Sequence, residues 1–521
     1  MKEISGFKGR QSQPGGSLER ANELNCFFNR FSSQPSSVSS AHLTSQTPQL
    51  TSPSPRSPLV SGMDCEATSK GPSPTDAVTP LPPLSVTTDQ VRRQLRRLHQ
   101  RKAAGPDGIS PRVLKTCAFQ LAEVLQPLFN LSLKQQKVPV LWKTSCLVLV
   151  PKKTTPSGLD YDYRPVALAS HVMKVLERLV LARLRPQVKS SLDPLQFAYQ
   201  PRVGVDDAST YLLQRAQSHL DGKGGSVRIF DFSSAFNTIQ PLLLSEKLRV
   251  VGVDSSTVSW ITENLTGRPQ FVRLGSVLSD TVVSGTGAPQ GTVLSPFLFT
   301  LYTTDFQYNS ESCHLQKFSD DSAVVGCIRD GREEEYRAVV EDFVAWAGRN
   351  HLLLNVAKTR EMVVDFGRKT TAPLPLRVLG EEVAMVEDYK YLGVSIDNRL
   401  NWKTNINAVY RKGMSRLFFL RKLRSFHVCS KMLEMFYQSV VASALYLAVV
   451  CWGSSIGAGD TNRLNKLVKK GGSIIGCKQD SLEKVLEGRS LKKLLSILDN
   501  PDHPLHHLLQ GQRSTFSNRL L

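Results

Sequence analysis

The sequence predicts an α+β fold of two or three domains, preceded by a mostly disordered segment. Three observations carry that expectation. At 521 residues the chain is too long for one simple core. Short β-branched runs alternate with amphipathic helices from Thr88 onward. Residues 32–85 are dominated by Ser, Pro and Thr. A segment so poor in large apolar side chains cannot bury enough surface to offset its ordering entropy, so residues 1–85 are expected to be mostly disordered. Residues 21–31, with Leu24, Phe27, Phe28 and Phe31, are the amphipathic exception. They form either a small docking helix or the remnant of an upstream domain.

The ordered elements follow in sequence. Val91, Leu95 and Leu98 recur at helical spacing with arginines on the other face, and Gly105-Pro106-Asp107-Gly108 stops that helix in a turn. A mostly helical stretch runs on to Leu133. Cys146-Leu147-Val148-Leu149-Val150 reads as a buried strand ended by Pro151. Residues 171–184 place Val172, Val175, Leu176, Leu179 and Val180 on one helical face. Strand signals at 227–230, 282–283, 323–325 and 362–364 then alternate with helical ones at 293–301 and 337–346. After Tyr391 the chain turns helical and basic, with Arg411, Lys412, Arg416, Arg421, Lys422 and Arg424. There is no internal repeat.

Lys plus Arg number 65 against 45 for Asp plus Glu, a formal charge of +20. Such a surplus suits a polyanion, because Lys and Arg neutralise phosphates and release counterions. Ribosomal and histone-like proteins share it, so charge points to nucleic acid and says nothing of chemistry. The nine cysteines contain no C-x-x-C pair, which argues against a zinc ribbon, a thioredoxin-like site or a secreted disulfide framework. The start lacks an apolar signal core. The longest apolar stretch, 440–452, is too short to span a bilayer and is expected to be a buried helix, with no membrane contact. An intracellular setting, nucleus or cytoplasm, follows.

Three acidic positions stand out by context. Asp231 follows a short apolar strand. Asp320 and Asp321 form a doublet between Lys317-Phe318 and the apolar Ala323-Val324-Val325, the context of a hairpin tip. A carboxylate at one strand end and a doublet on an adjacent hairpin can hold two Mg²⁺ ions, which want hard oxygen ligands and share coordination with phosphates. Taken alone, an Asp pair in a turn is ordinary turn chemistry. The loop Gly287-Ala288-Pro289-Gln290-Gly291-Thr292-Val293-Leu294-Ser295-Pro296 adds to it. Its glycines let a nucleotide or template base approach the backbone, and Gln290 both donates and accepts hydrogen bonds. The plainer account is a helix start with Ser295 capping and Pro296 in the first turn.

The ordered series resembles the reverse-transcriptase motifs of non-LTR (LINE-type, jockey- or Rex-like) retrotransposons, across nearly all of residues 88–515. It runs through Gly105-Pro106-Asp107-Gly108, Pro151-Lys152-Lys153, Tyr163-Arg164-Pro165-Val166 and Gln196-Phe197-Ala198-Tyr199. The Asp231 motif, the Gln290-Gly291 loop and Phe318-Ser319-Asp320-Asp321 come next. Leu354-Asn355-Val356-Ala357-Lys358-Thr359 and the primer-grip motif Tyr389-Lys390-Tyr391-Leu392-Gly393 complete it. The resemblance implies a right-hand polymerase: fingers over 86–226 with an N-terminal extension, palm with an antiparallel sheet over 227–395, and a helical basic thumb over 396–521. It implies an RNA template, a DNA primer, dNTPs and two Mg²⁺ ions, with Mn²⁺ able to substitute. Asp231, Asp320 and Asp321 then hold the metals, helped by the Phe232 carbonyl. Lys152, Lys153 and Arg164 clamp the triphosphate. Phe236 lies under the sugar and excludes a 2′-OH. Gln290 and Gly291 track the incoming nucleotide, Tyr391, Leu392 and Gly393 hold the primer, and Lys358 offers a proton to departing pyrophosphate. The basic segment after Arg399 grips the template–primer backbone without reading sequence.

Two departures from that pattern matter. Ser319 stands where many members carry Ala, a change small enough to keep close packing. The strand before Asp231 reads about two residues shorter than in relatives; an even deletion keeps the alternation of faces but is expected to weaken the strand. The region before Thr88 is too short and polar for the endonuclease that relatives carry upstream, and no Cys/His knuckle follows the thumb. The chain as given is therefore expected to extend a primer without making the nick. The competing expectation is a decayed or domesticated copy that binds nucleic acid without catalysis. Phe236 argues against an RNA-dependent RNA polymerase.

Overall fold

Short, largely apolar runs build two main sheets. The computed structural model describes residues 17–33, 84–152, 160–221, 226–233, 238–365 and 374–510, without the side chains of residues 161, 230–233 and 509–510. In the first sheet β1 (Ser145–Pro151) pairs antiparallel with β2 (Tyr163–Ala169) and parallel with β4 (Arg268–Leu274). Two short strands, β5 (Val277–Leu278) and β6 (Val282–Ser284), extend β4. The second sheet has the order β12-β9-β3-β8-β7. Its centre is β3 (Ser226–Ser233), with β8 (Asp321–Ile328) and then β7 (Cys313–Phe318) on one side. On the other side lie β9 (Arg360–Val364) and β12 (Ala384–Met385). Two hairpins complete the strands: β10 (Arg377–Val378) with β11 (Glu381–Glu382), and β13 (Asp388–Tyr391) with β14 (Val394–Asp397).

The second sheet is covered on both faces, so its strands are apolar on both. Leu315, Val324 and Ile328 enter one core with Phe129, Leu176, Trp260, Phe299 and Trp346. Val227, Ile229, Ala323, Val325, Met362 and Val364 enter the other, with Tyr391, Leu417, Trp452 and Leu467 from the C-terminal helices. One sheet thus joins two helical bodies.

The N-terminal exception is a docking helix, Leu18–Asn29, so residues 1–85 are not uniformly without structure. Ala21 and Leu24 pack into a third core with Leu147, Leu149, Val272 and Leu274. Most of the Ser/Pro/Thr-rich segment lies outside the described residues. The first helix after it, Thr88–Arg96, opens on a capping box between Thr87 and Gln90. It ends before Leu98, and the Gly105–Gly108 turn closes separately through Gly108 N to Gly105 O at 3.0 Å. A Cβ on Gly105 would stand 2.8 Å from the Ala169 carbonyl oxygen, so glycine lets that turn seat on the end of β2.

Three further expectations change. β3 is eight residues long and paired on both sides, so the weakened strand is not observed. The chain does not turn helical at Tyr391: the β13–β14 hairpin intervenes, and helix begins at Lys403. The helical run Ser430–Trp452, 23 residues, is by length and composition apolar enough to cross a membrane, whereas only its second half stood out in sequence. A share of 50% of its most apolar window is buried, and Leu433, Tyr437, Val441, Leu445, Val449 and Trp452 face the second core.

Two buried polar groups fix the elements that carry the candidate site. Arg228 on β3 is fully buried and donates to Glu361 on β9 at 2.8 Å and to Glu333, while Tyr336 also donates to Glu361 at 3.0 Å. Removing one member of such a network strands a buried charge, so Arg228→Ala is expected to cost about 3–5 kcal/mol. The check is the urea midpoint of the full chain, and Arg228→Met combined with Glu361→Leu should recover part of the loss.

Glu177, on the helix His171–Val188, accepts a hydrogen bond from Val293 N at 2.8 Å and so tethers the loop before the helix Ser295–Tyr302. Burial pushes its carboxyl up to about 7 from an ordinary 4.5, against the pull of the Val293 bond and of Lys174 and Arg178. A carboxyl raised on folding contributes stability that is full below its unfolded value and lost as pH rises through the folded one. Glu177→Gln keeps an acceptor but cannot ionise. Its melting temperature should exceed the parent's at pH 8, with the gain vanishing only as pH falls below 4.5; a difference independent of pH contradicts the assignment.

Candidate active site

The acidic tip forms because β7 and β8 turn in two residues. Phe318 pairs with Asp321, leaving Ser319 and Asp320 as the turn, so the doublet is split: Asp320 lies at the tip and Asp321 opens β8. Ser319 has φ +64°, a conformation a short polar side chain tolerates better than a bulky one.

On β3, residue 231 pairs with Ala323 and residue 233 with Asp321. Residues 231 and 321 therefore share a face of the sheet as diagonal neighbours, a relation that spans about 7–8 Å. The side chains of Asp231 and Phe232, and all of Lys153 and Phe236, lie outside the described residues.

Burial pushes the Asp320 carboxyl above its ordinary value. Burial and then repulsion by Asp320 push Asp321 up to about 6. Arg164 and Lys358 pull both down. Two half-buried carboxylates, both raised by burial and the second raised further by the first, are a donor set short of positive charge, and hard divalent cations suit oxygen donors of this kind. The residues present fit such an ion, although no group of three metal-ligating side chains stands among the described residues.

The cations converge from three elements. Lys152 follows β1 and donates its backbone N–H to Asp162 O at 2.8 Å. Arg164 is exposed on β2 opposite Val150. Lys358 lies in the turn before β9, held by Asn355. Burial, then repulsion by Lys358 and Arg164, lowers Lys152.

The Gln290-Gly291 loop is pinned to β2 by Ala167 N donating to Gln290 O at 2.8 Å. Gly291 has φ +121°, and a Cβ there would stand 2.6 Å from the Ala167 carbonyl oxygen. The close approach this glycine permits is therefore to β2. Ser295 is the first residue of its helix and not the cap; its N–H donates to Thr292 Oγ1 at 3.3 Å.

The β13–β14 hairpin turns through Leu392 and Gly393, both at positive φ, the pattern of a type I′ turn. Tyr391 is buried and accepts from Gln316 Nε2 at 2.6 Å. A cleft lined by Asp321, Tyr389, Lys390, Tyr391, Leu392 and Gly393 joins this hairpin to the acidic tip. Lys390 in turn lies close enough to lower Lys412 on the basic helix Lys403–Ser425, after burial as the larger cause.

Sequence reasoning missed what holds the tip. Gln196 Oε1 accepts from Ser319 N at 3.0 Å, and the Tyr199 hydroxyl bonds Ser319 Oγ at 2.8 Å. Leu195 and Phe197 add a bridge to β7 through Lys317, whose buried ammonium pairs with Asp193 at 2.7 Å. The available signals were the Gln196-Phe197-Ala198-Tyr199 motif, to which the sequence attached no role, and Ser319 itself, a hydroxyl in a turn beside two carboxylates.

Residues 150–396 match the family described as reverse transcriptase (RNA-dependent DNA polymerase). Residues 402–443 match a second one, the N-terminal part of alkylated DNA repair protein alkB homolog 8. The RNA-directed DNA polymerase from mobile element jockey of Drosophila melanogaster is 25% identical over 390 residues, covering 72% of this chain and 42% of that protein. The probable RNA-directed DNA polymerase from transposon X-element of the same organism is 26% identical, with the same coverage. The chain thus spans less than half the length of these curated relatives. Apo telomerase from Candida tropicalis overlays with a TM-score of 0.40 at 11% identity, over 76% of this chain and 73% of that one. The assignment rests on the family match and the sequence relatives. Residues 150–396 carry a reverse-transcriptase domain, and the chain is similar to the RNA-directed DNA polymerases of non-LTR (LINE-type) retrotransposons.

Proposed function

We propose that this protein is an RNA-directed DNA polymerase that extends a DNA primer on an RNA template with dNTPs. The observation that carries the proposal is the meeting, at one sheet end, of the strand bearing Asp231, the Asp320–Asp321 tip, the cations Lys152, Arg164 and Lys358, and the Tyr391–Gly393 hairpin. Residues 86–226 serve as fingers, 227–395 as palm and 396–521 as thumb.

In this reading Asp231, Asp320 and Asp321 hold two Mg²⁺ ions, with the Phe232 carbonyl as an added ligand and Mn²⁺ able to replace them. When bound, such a pair stabilises the attacking and leaving oxygens of an in-line phosphoryl transfer. The protein's own residues do the rest. Lys152, Lys153 and Arg164 hold the triphosphate, and Gln290 with Gly291 borders the nascent base pair. Phe236 closes the pocket against a 2′-OH. Tyr391, Leu392 and Gly393 orient the primer so that its 3′-hydroxyl faces the α-phosphate. Lys358 supplies a proton to the leaving pyrophosphate. Lys412 and its basic helix neutralise backbone phosphates without reading bases.

The runner-up, a decayed copy that only binds nucleic acid, drew on a weakened strand before Asp231. A β3 paired with β8 over residues 226–233 and with β9 over 227–231 speaks against that ground.

Purified protein should extend a DNA primer on an RNA template with dNTPs and Mg²⁺. Asp320→Ala or Asp321→Ala should lower the rate by at least about 10²–10³-fold with template binding retained. Extension that survives either change removes the site assignment, and template binding with no extension by the unsubstituted protein favours the decayed copy. Tyr199→Phe and Ser319→Ala each break one hydroxyl bond at the tip, so each should slow extension by about 2–10-fold. The double variant should be no slower than the worse single one; fully multiplicative losses would mean the two hydroxyls act apart.

A further inference from the structure

We infer that Arg30, at the end of the N-terminal helix, is a further phosphate-binding residue of this site; the inference rests on the polymerase reading above.

The helix is bolted to the first sheet. Asn25, buried, donates to Asp280 O at 2.8 Å, Ser279 Oγ at 3.1 Å and Gln270 O at 3.3 Å. Asn22 pairs both ways with Asp280, donating to its carboxylate at 2.7 Å and accepting from its N–H at 2.8 Å. The turn that follows is fixed too, because Gly285 N donates to Ser32 Oγ at 2.6 Å. Phe28, Asn29 and Phe31 then wall one side of a cleft whose other side includes Pro165 and Gln290, the neighbours of Arg164 and Gly291. The turn therefore stands at the edge of the candidate nucleotide site.

Arg30 is exposed but braced. Its guanidinium lies 3.9 Å from the Phe27 ring centre and 4.2 Å from that of Phe31, and Nη1 donates to Phe27 O at 2.6 Å. Asp160, which acts on it electrostatically, is itself paired with Arg20 at 2.5 Å. Lys152 feels repulsion from Arg30 as well as from Arg164 and Lys358, so four cations crowd one exposed corner. Like charges gathered on a rigid frame attract a polyanion, and a pre-positioned planar fork suits phosphate oxygens. The phosphate belongs either to the dNTP or to the template backbone as it enters.

The test compares Arg30→Ala and Arg30→Lys with the unsubstituted full chain. It reads the dNTP KM and kcat of primer extension, and the Kd for template–primer across a salt series. A contact to the dNTP raises KM about 3–10-fold in Arg30→Ala with Kd unchanged. A contact to the template raises Kd by a similar factor and lowers the salt slope by about one phosphate. Arg30→Lys keeps the charge, leaves the helix packing intact and should fall between. KM and Kd both within about twofold of the unsubstituted protein overturn the inference. If the unsubstituted protein does not extend primers at all, the polymerase reading falls instead, and the Kd series alone decides Arg30.

Discussion

The register of β3 between β8 and β9 is the constraint on which everything else depends. Side chains alternate along a strand, so a slip of one residue against β8 would carry position 231 to the opposite face of the sheet from Asp321. Both faces resist that slip. Val227 and Ile229 bury in the core shared with the C-terminal helices. Arg228 points the other way into Glu361 and Glu333, where a misplaced guanidinium would strand two carboxylates. The same alternation that hides apolar surface thus sets the spacing of the acidic groups.

What that register assembles is an electrostatic mismatch waiting for a partner. Asp320 and Asp321 are held half-buried, with Asp320 close enough to raise Asp321, on a turn that Gln196 and Tyr199 keep from relaxing. Around them stand cations on separate supports: β1, β2 and the turn before β9, with Arg30 beyond on the docked helix. Neither set neutralises the other fully. Negative charge concentrated at the tip calls for a metal, and positive charge at the rim calls for phosphate; a nucleotide carried with its metal meets both demands.

Much of this was legible in sequence because its signals are local. Short β-branched runs gave β3, β8 and β9, and helical spacing gave the helices at 171–188 and 334–349. The doublet next to an apolar run gave the hairpin. What was not legible depends on contacts between distant segments. The hydroxyl pair of Tyr199 and Ser319 joins residues 120 apart. Glu177 reads as one polar residue on an amphipathic helix, and only packing makes it the tether of Val293. Gly291 was singled out for the approach of a nucleotide, whereas the approach it makes is to the Ala167 carbonyl, which depends on where β2 lies. The docking of residues 18–29 turned on Asn22 and Asn25 meeting Asp280, a match no periodicity reports.

The central claim is that Asp231 joins Asp320 and Asp321 in one metal site. Electron paramagnetic resonance titration of Mn²⁺ into the protein with template, chain-terminated primer and dNTP tests it most directly. The account predicts about two bound ions per chain, with at least one lost in Asp231→Ala just as in Asp320→Ala. Full stoichiometry in Asp231→Ala would contradict it, because the carboxylate of β3 would then stand apart from the tip.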